Sequence, residues 1–107
     1  MKLGIIISTN KSETNWNAFR LANFALKRGD GVKIFLIGEG VEYETGSSDN
    51  FNIQEQIAEF LKSDKARILA CSTCLKLRKQ EATKTCPMNT IEDLYILVQE
   101  CDKILTF

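Results

Sequence analysis

Two cysteines, Cys71 and Cys74, stand three positions apart where an apolar segment of the chain ends. A cysteine thiolate is a nucleophile and a metal ligand, whereas a protonated cysteine packs like a small apolar residue. A Cys-x-x-Cys pair near alternating strands and helices indicates thiol redox chemistry. Arg78 and Lys79 follow closely, and their positive charges favour an anionic sulfur. The pair is therefore the first candidate for a reactive site.

The chain contains no histidine, which excludes every mechanism that pairs serine or cysteine with an imidazole base. The N-terminal segment MKLGIIISTN has too few apolar residues for a secretory signal, and no segment reaches the roughly 18 apolar residues of a membrane span. We therefore expect a cytoplasmic protein without a membrane partner. Its four cysteines are then reactive, ligating or buried rather than paired in disulfides.

The 107 residues predict a single domain spanning residues 1–107. Lysine plus arginine and aspartate plus glutamate both total 14, so the formal net charge is zero. A nucleic-acid partner is not expected, because such proteins carry a basic excess on one face. A net charge near zero also does not oppose self-association.

Apolar runs and helical periods along the chain predict the order β-α-β-α-β-α-α-β. The strands are apolar throughout rather than alternating, which is typical of a parallel sheet covered on both faces. The fold class is therefore α/β, a small doubly wound and mainly parallel sheet with helices on both faces. The predicted strands are 3–8, 32–37, 67–70 and 103–107, and the predicted helices are about 13–28, 53–61, 72–79 and 90–100.

Reactive groups in such a sheet lie outside the carboxyl ends of the strands. Three segments meet at that edge: residues 8–12, residues 38–50 and the turn that holds Cys71. A thiol at the start of a helix ionises more easily than usual. We therefore expect Cys71 to be the nucleophile and Cys74 a resolving partner or a neighbour, with Glu39 and Tyr43 within reach of the thiol.

Other interpretations remain open at this point. Cys71, Cys74 and Cys86 could form a three-thiolate metal site, but a closed zinc site needs a fourth ligand, and Cys101 is predicted on the core face of the last helix. A cysteine-phosphatase loop is disfavoured because six residues, not five, separate Cys71 from Arg78. The hydroxyl-rich segment 8–12 suggests a flavin carrier, although aromatic residues are scarce in the later loops.

Three segments, LANFALKRGDGVKIFLIGEGV, ILACSTCLKLRK and CDKILTF, resemble in order and spacing the DsrE/DsrF-like family, which includes the TusD-type sulfur-relay proteins. The resemblance implies a small α/β fold, cytoplasmic homo-oligomers (a trimer or a multiple of it), no cofactor, and a cysteine that carries sulfur as a persulfide. It places that cysteine at Cys71 and makes Cys74 a feature of short stand-alone members. Gln80 stands where relay members tend to have glycine.

The sequence thus predicts a sulfur carrier that exchanges sulfur with a donor and an acceptor protein. Cys71 accepts the sulfur, Arg78 and Lys79 stabilise the anionic persulfide, and Cys74 releases the sulfur by forming a disulfide. Glu39 and Tyr43 line the mouth of the site. The alternative function is a non-enzymatic redox-sensing or small-ligand-binding module based on the same cysteine pair.

Overall fold

A computed structural model of the chain describes residues 1–46, 50–81 and 88–107. Within those residues, five strands form one parallel sheet, which confirms the predicted α/β class. The elements are β1 (Lys2–Ile7), α1 (Ser12–Lys27), β2 (Gly31–Leu36), a 3-10 segment (Gly38–Gly46), α2 (Ile53–Phe60), β3 (Ala66–Cys71), α3 (Ser72–Leu77), β4 (Met88–Asn89), α4 (Ile91–Glu100) and β5 (Lys103–Thr106). The sheet order is β4-β3-β2-β1-β5.

The central strands bury both of their faces, as their continuous apolar composition predicts. Ile34 pairs with Ile5 on one side and with Ile68 on the other, and all three side chains join the larger of two apolar clusters. The next residues in register, Phe35 and Leu69, point to the opposite face and join the smaller cluster. Each strand of the sheet centre therefore contributes to two separate layers of core.

Helices α1 and α2 pack against each other and cover the face with the larger cluster. The rings of Phe19 and Phe60 meet edge to face, with their centroids 5.9 Å apart. Helix α2 begins where the sequence predicts, because the Asn52 side chain accepts a hydrogen bond from the Glu55 amide at 3.1 Å. Helices α1 and α2 therefore form one packed layer on the face of the sheet opposite to α4.

Helix α4 covers the other face, but its buried stripe differs from the predicted one. Leu97 is fully buried, whereas Ile91 and Val98, which a helical period places on the same predicted core face as Cys101, are 68% and 47% exposed. The reason lies in β1, where Gly4 has no side chain and Leu97 takes the free space. A Cβ at Gly4 would lie 2.8 Å from Leu97 Cδ2 and 3.1 Å from Cys101 Sγ.

The short strand β4 is absent from the predicted order, which contained four strands. It has two residues, and the carbonyl oxygen of the Asn89 side chain accepts a hydrogen bond from the Ala70 amide at 3.3 Å. Two residues are too few for a periodic pattern, so this strand cannot be predicted from periodicity. Along the described ranges, no helix has the length and apolar character needed to cross a membrane.

Candidate functional site

Cys71 is the last residue of β3 and immediately precedes α3, so the predicted position at the carboxyl edge of the sheet is confirmed. Its side chain is only 8% exposed and packs in the smaller apolar cluster with Phe35 and Leu97. The Cys71 thiol therefore belongs to the apolar core on the α4 face of the sheet rather than to the open surface.

The electrostatics of Cys71 differ from the expectation for a thiol at a helix start. Burial raises the pKa of the Cys71 thiol, and the neighbouring Cys74 side chain raises it further. The backbone amides of Cys74 and Thr73 act in the opposite direction without outweighing burial. Cys71 is thus a neutral thiol that lies close to the second thiol.

Cys74 lies on α3 and is half-buried, so this residue is more exposed than Cys71. The backbone N–H of Gly38 donates a hydrogen bond to Cys74 Sγ at 3.2 Å. Gly38 follows β2 and has a φ of +57°, in the left-handed region that glycine adopts most easily. The glycine therefore turns the chain so that a backbone donor faces the sulfur.

Further contacts join the 3-10 segment to the end of α3. Arg78 Nε donates to Glu42 Oε2 at 2.6 Å, and Arg78 Nη1 donates to the carbonyl oxygen of Cys74 at 3.3 Å. The Gln80 side chain donates to the carbonyl oxygen of Val41 at 3.3 Å. The Glu42 carboxylate raises the pKa of Arg78, and the Cys74 thiol adds to this effect. Arg78 is therefore a fixed positive charge beside Cys74.

The backbone after α3 explains how Arg78 and Gln80 reach these partners. The Lys79 amide donates to the Lys76 carbonyl at 3.0 Å, and the Gln80 amide donates to the Leu75 carbonyl at 2.9 Å. This is a Schellman ending, and Lys79 takes its left-handed position with a φ of 54°. The Lys79 side chain is exposed, and within the described residues no hydrogen bond or ion pair joins it to either cysteine.

The two loop residues proposed for the mouth of the site have different environments. Glu39 is exposed, and its charge is close enough to Arg78 to raise the pKa of that guanidinium slightly. Tyr43 is 5% exposed and belongs to the larger apolar cluster, so its ring is part of the core. The acidic neighbour that contacts Arg78 directly is Glu42, which the sequence reading did not single out.

The glycine between Glu39 and Val41 has a structural role. A Cβ on Gly40 would overlap the carbonyl oxygen of Ile7, because the 3-10 segment crosses directly over the end of β1. The sequence signal for this segment is the pair of glycines, Gly38 and Gly40, directly after a buried strand. The predicted irregular loop 38–50 therefore begins as a defined 3-10 segment over Gly38–Gly46.

The metal site considered from the sequence includes Cys86, which lies outside the described residues. In the described part of the chain, no group of three or more cysteine or carboxylate side chains is arranged to bind a metal ion. Cys101 lies at the C-terminal end of α4, beside the amino end of β1, and burial raises the pKa of its thiol. It is thus at the opposite end of the sheet from Cys71 and Cys74.

The hydroxyl-rich segment after β1 is engaged in local contacts. The amide and hydroxyl of Ser8 both donate to the carbonyl oxygen of Phe107, at 2.9 and 3.0 Å. The Thr9 hydroxyl accepts from the Lys11 amide at 3.2 Å. These contacts lie between β1 and β5, where the strand order reverses and where doubly wound folds bind nucleotides. The cysteine pair lies on β3 and α3 instead.

Comparisons with known proteins agree with this architecture. The family model described as the DsrE/DsrF-like family matches residues 1–107. The uncharacterized protein MJ0989 of Methanocaldococcus jannaschii is 30% identical over 115 residues, and the match covers all of both chains. The crystal structure of the ychN protein from E. coli superimposes with a TM-score of 0.81 at 21% identity, again over all of both chains. The chain therefore belongs to the DsrE/DsrF-like family.

Proposed function

We propose that this protein is a sulfur carrier that accepts sulfane sulfur on the Cys71–Cys74 pair as a persulfide and passes it to an acceptor. The observation that supports this function best is the proximity of two thiols at the carboxyl edge of the sheet, with a backbone N–H of Gly38 on the Cys74 sulfur. Membership of a family that includes sulfur-relay proteins is consistent with the same chemistry.

The uptake step is a substitution at sulfur without net oxidation. A thiolate of the pair attacks the outer sulfur of a donor persulfide, R–S–SH. A new S–S bond forms to that sulfur, the bond between the two donor sulfurs breaks, and the donor leaves as a thiol after taking one proton. One thiol and one persulfide are thus converted into one persulfide and one thiol, so no electron acceptor and no cofactor are required.

The outer sulfur can be released by either of two routes. An acceptor thiolate attacks the outer sulfur and takes it, which regenerates the original thiol of the carrier. Alternatively, the second cysteine attacks the inner sulfur, which forms the Cys71–Cys74 disulfide and releases hydrogen sulfide; a dithiol reductant must then restore both thiols. The contact between the two side chains supports the second route, because the attacking sulfur is already beside its target.

The positive charge of Arg78 favours binding of the donor persulfide and also stabilises the persulfide formed on the protein. A persulfide terminus is anionic near neutral pH, and Arg78 is fixed beside Cys74 by its contacts with Glu42 and with the Cys74 carbonyl. The sulfur-donor and sulfur-acceptor proteins expected for this chemistry would approach the carboxyl edge of the sheet. The exposed side chains of Glu39 and Lys79 flank that approach.

Intact-mass measurement tests the function. The reduced protein is incubated with a cysteine desulfurase and cysteine, and its mass is measured before and after treatment with a reductant. We expect a mass gain of one sulfur atom that the reductant removes. The matched control is the double variant Cys71→Ala with Cys74→Ala, which retains Cys101 and should gain no sulfur. A wild-type protein that never gains sulfur would rule out the proposal.

The same contact between the thiols also favours a second function, a thiol redox sensor in which Cys71 and Cys74 cycle through a disulfide. The mass experiment separates the two functions, because a disulfide removes two hydrogens whereas a persulfide adds a sulfur. A sensor should lose two hydrogens upon mild oxidation and gain no sulfur from the desulfurase.

A further inference from the structure

We propose that Cys74, and not Cys71, attacks the donor and carries the sulfur, while Cys71 is the resolving thiol. This assignment rests on the proposed sulfur-carrier function and reverses the roles that the sequence alone assigns to the two cysteines. It follows from the exposure of each cysteine, from the backbone donor that faces the Cys74 sulfur and from the position of Arg78.

Access is the first argument. A donor persulfide must bring its outer sulfur into contact with the attacking thiolate, in line with the bond that breaks. Cys71 is 8% exposed and belongs to the smaller apolar cluster with Phe35, so a bulky protein-bound persulfide can reach it only if neighbouring side chains move. Cys74 on α3 is half-buried and borders the 3-10 segment, so it is the more exposed cysteine of the pair.

Hydrogen bonding is the second argument. The sulfur of Cys74 accepts the Gly38 N–H at 3.2 Å. A backbone donor that faces a sulfur stabilises negative charge on it. The same donor remains beside the inner sulfur when the persulfide forms on Cys74. Cys71 itself has a raised pKa, mainly because it is buried, which suits a proton-bearing partner.

The position of Arg78 also distinguishes the two cysteines. Arg78 Nη1 is bonded to the carbonyl oxygen of Cys74, four residues earlier, and the charge of the Cys74 sulfur affects the pKa of Arg78. The Glu42 carboxylate fixes the guanidinium through its Nε at 2.6 Å. Arg78 thus lies on the Cys74 side of the pair, and Glu42 is a positioning residue that acts through it.

Cys71 is then positioned to release the sulfur from Cys74. With the sulfur on Cys74, the Cys71 sulfur attacks the inner sulfur of the persulfide. The Cys71–Cys74 bond forms, the bond to the outer sulfur breaks, and the Cys71 proton leaves with the outer sulfur as hydrogen sulfide anion. The disulfide is restored to two thiols by an external dithiol, which supplies two electrons and two protons.

Matched single variants test the assignment. Cys71→Ala and Cys74→Ala each remove one thiol without adding a polar group to the core around Phe35 and Leu97. After incubation with cysteine desulfurase and cysteine, we expect Cys71→Ala to retain the persulfide and release little hydrogen sulfide, and Cys74→Ala to gain no sulfur. Uptake by Cys74→Ala, whether or not Cys71→Ala also takes up sulfur, would overturn the assignment while leaving the sulfur-carrier function intact.

Uptake by the wild type alone, with neither single variant active, would also overturn the assignment, because it would show that both thiols are needed. Failure of the wild type to take up sulfur would instead refute the function on which the assignment rests.

A second measurement needs no variant. In the reduced wild type, iodoacetamide should modify Cys74 at least about tenfold faster than Cys71, as the difference in burial requires. Equal rates, or faster modification of Cys71, would contradict the proposal.

Discussion

At the scale of single residues, burial separates two cysteines that look equivalent in the sequence. The Cys-x-x-Cys spacing and the basic residues after it are visible in the sequence, and they locate the candidate site correctly at the end of β3. The burial of Cys71 is not visible in the sequence, because the other members of its apolar cluster, Phe35 and Leu97, come from distant parts of the chain. The sequence therefore predicts the pair but not the burial that raises the pKa of Cys71.

The charge of Arg78 should affect the reactivity of Cys74. Arg78→Gln removes the fixed positive charge beside the Cys74 carbonyl, so we expect alkylation of Cys74 at neutral pH to slow about two- to fivefold, the range for a partly exposed charge. Lys79→Gln is the matched control, since it removes an adjacent, exposed charge and should leave the rate unchanged. Equal slowing in both variants would point to a general charge effect.

At the scale of elements, the 3-10 segment and the end of α3 form the site together. Each of these segments contains a residue with a positive φ, Gly38 in the first and Lys79 in the second. In the 3-10 segment, Gly40 also lies against the Ile7 carbonyl. Periodicity predicts the strands and the long helices, because those have regular apolar faces. It could not predict the 3-10 segment, the two-residue β4 or the buried stripe of α4, which depend on contacts between distant residues.

Lys79 occupies a position that favours glycine. A side chain in the left-handed region costs about 1–2 kcal/mol, and part of this is offset by the greater freedom of glycine in the unfolded chain. We therefore expect Lys79→Gly to raise the free energy of unfolding by about 1 kcal/mol in urea titrations. Lys79→Ala removes the same charge but keeps the Cβ, so it should give no such gain. A Lys79→Gly variant no more stable than Lys79→Ala would refute the strain argument.

Gly40 permits the close contact between the 3-10 segment and β1. Gly40→Ala places a methyl group against the Ile7 carbonyl, so either the segment moves or the strand does. We expect a loss of about 1–3 kcal/mol in the free energy of unfolding. Alkylation of Cys74 should also slow, because the movement takes the Gly38 N–H away from its sulfur. An unchanged stability and an unchanged alkylation rate would show that the contact is not required.

At the scale of the whole molecule, the two thiols with raised pKa link folding to pH. Cys71 and Cys101 keep their protons in the folded chain at pH values where the same thiols ionise in the unfolded chain. The folded state then binds more protons, so stability is complete below the ordinary thiol pKa and falls as pH rises above it. We expect urea midpoints of the reduced protein to decrease between about pH 8 and 10. Cys71→Ala should reduce this decrease; an identical slope would contradict the link.

We also propose that the chain forms a homo-oligomer, a trimer or a multiple of it, through the outer face of α4. Ile91, Tyr95 and Val98 form an exposed apolar stripe on that helix, and Tyr95 is 62% exposed. Light scattering at micromolar concentration should give a mass above that of the monomer, and Tyr95→Glu should lower it. Phe24→Glu is the control, because Phe24 is equally exposed on α1. A wild-type monomer, or equal effects of the two variants, would count against this surface.

Peptide mapping after sulfur loading shows whether the Cys71–Cys74 pair carries the sulfur. Trypsin separates the pair, in peptide 68–76, from Cys86 and Cys101, which share peptide 85–103. After loading from cysteine desulfurase and blocking with iodoacetamide, peptide 68–76 should carry the additional sulfur and peptide 85–103 should not. Additional sulfur only in peptide 85–103, or in neither peptide, would contradict the account.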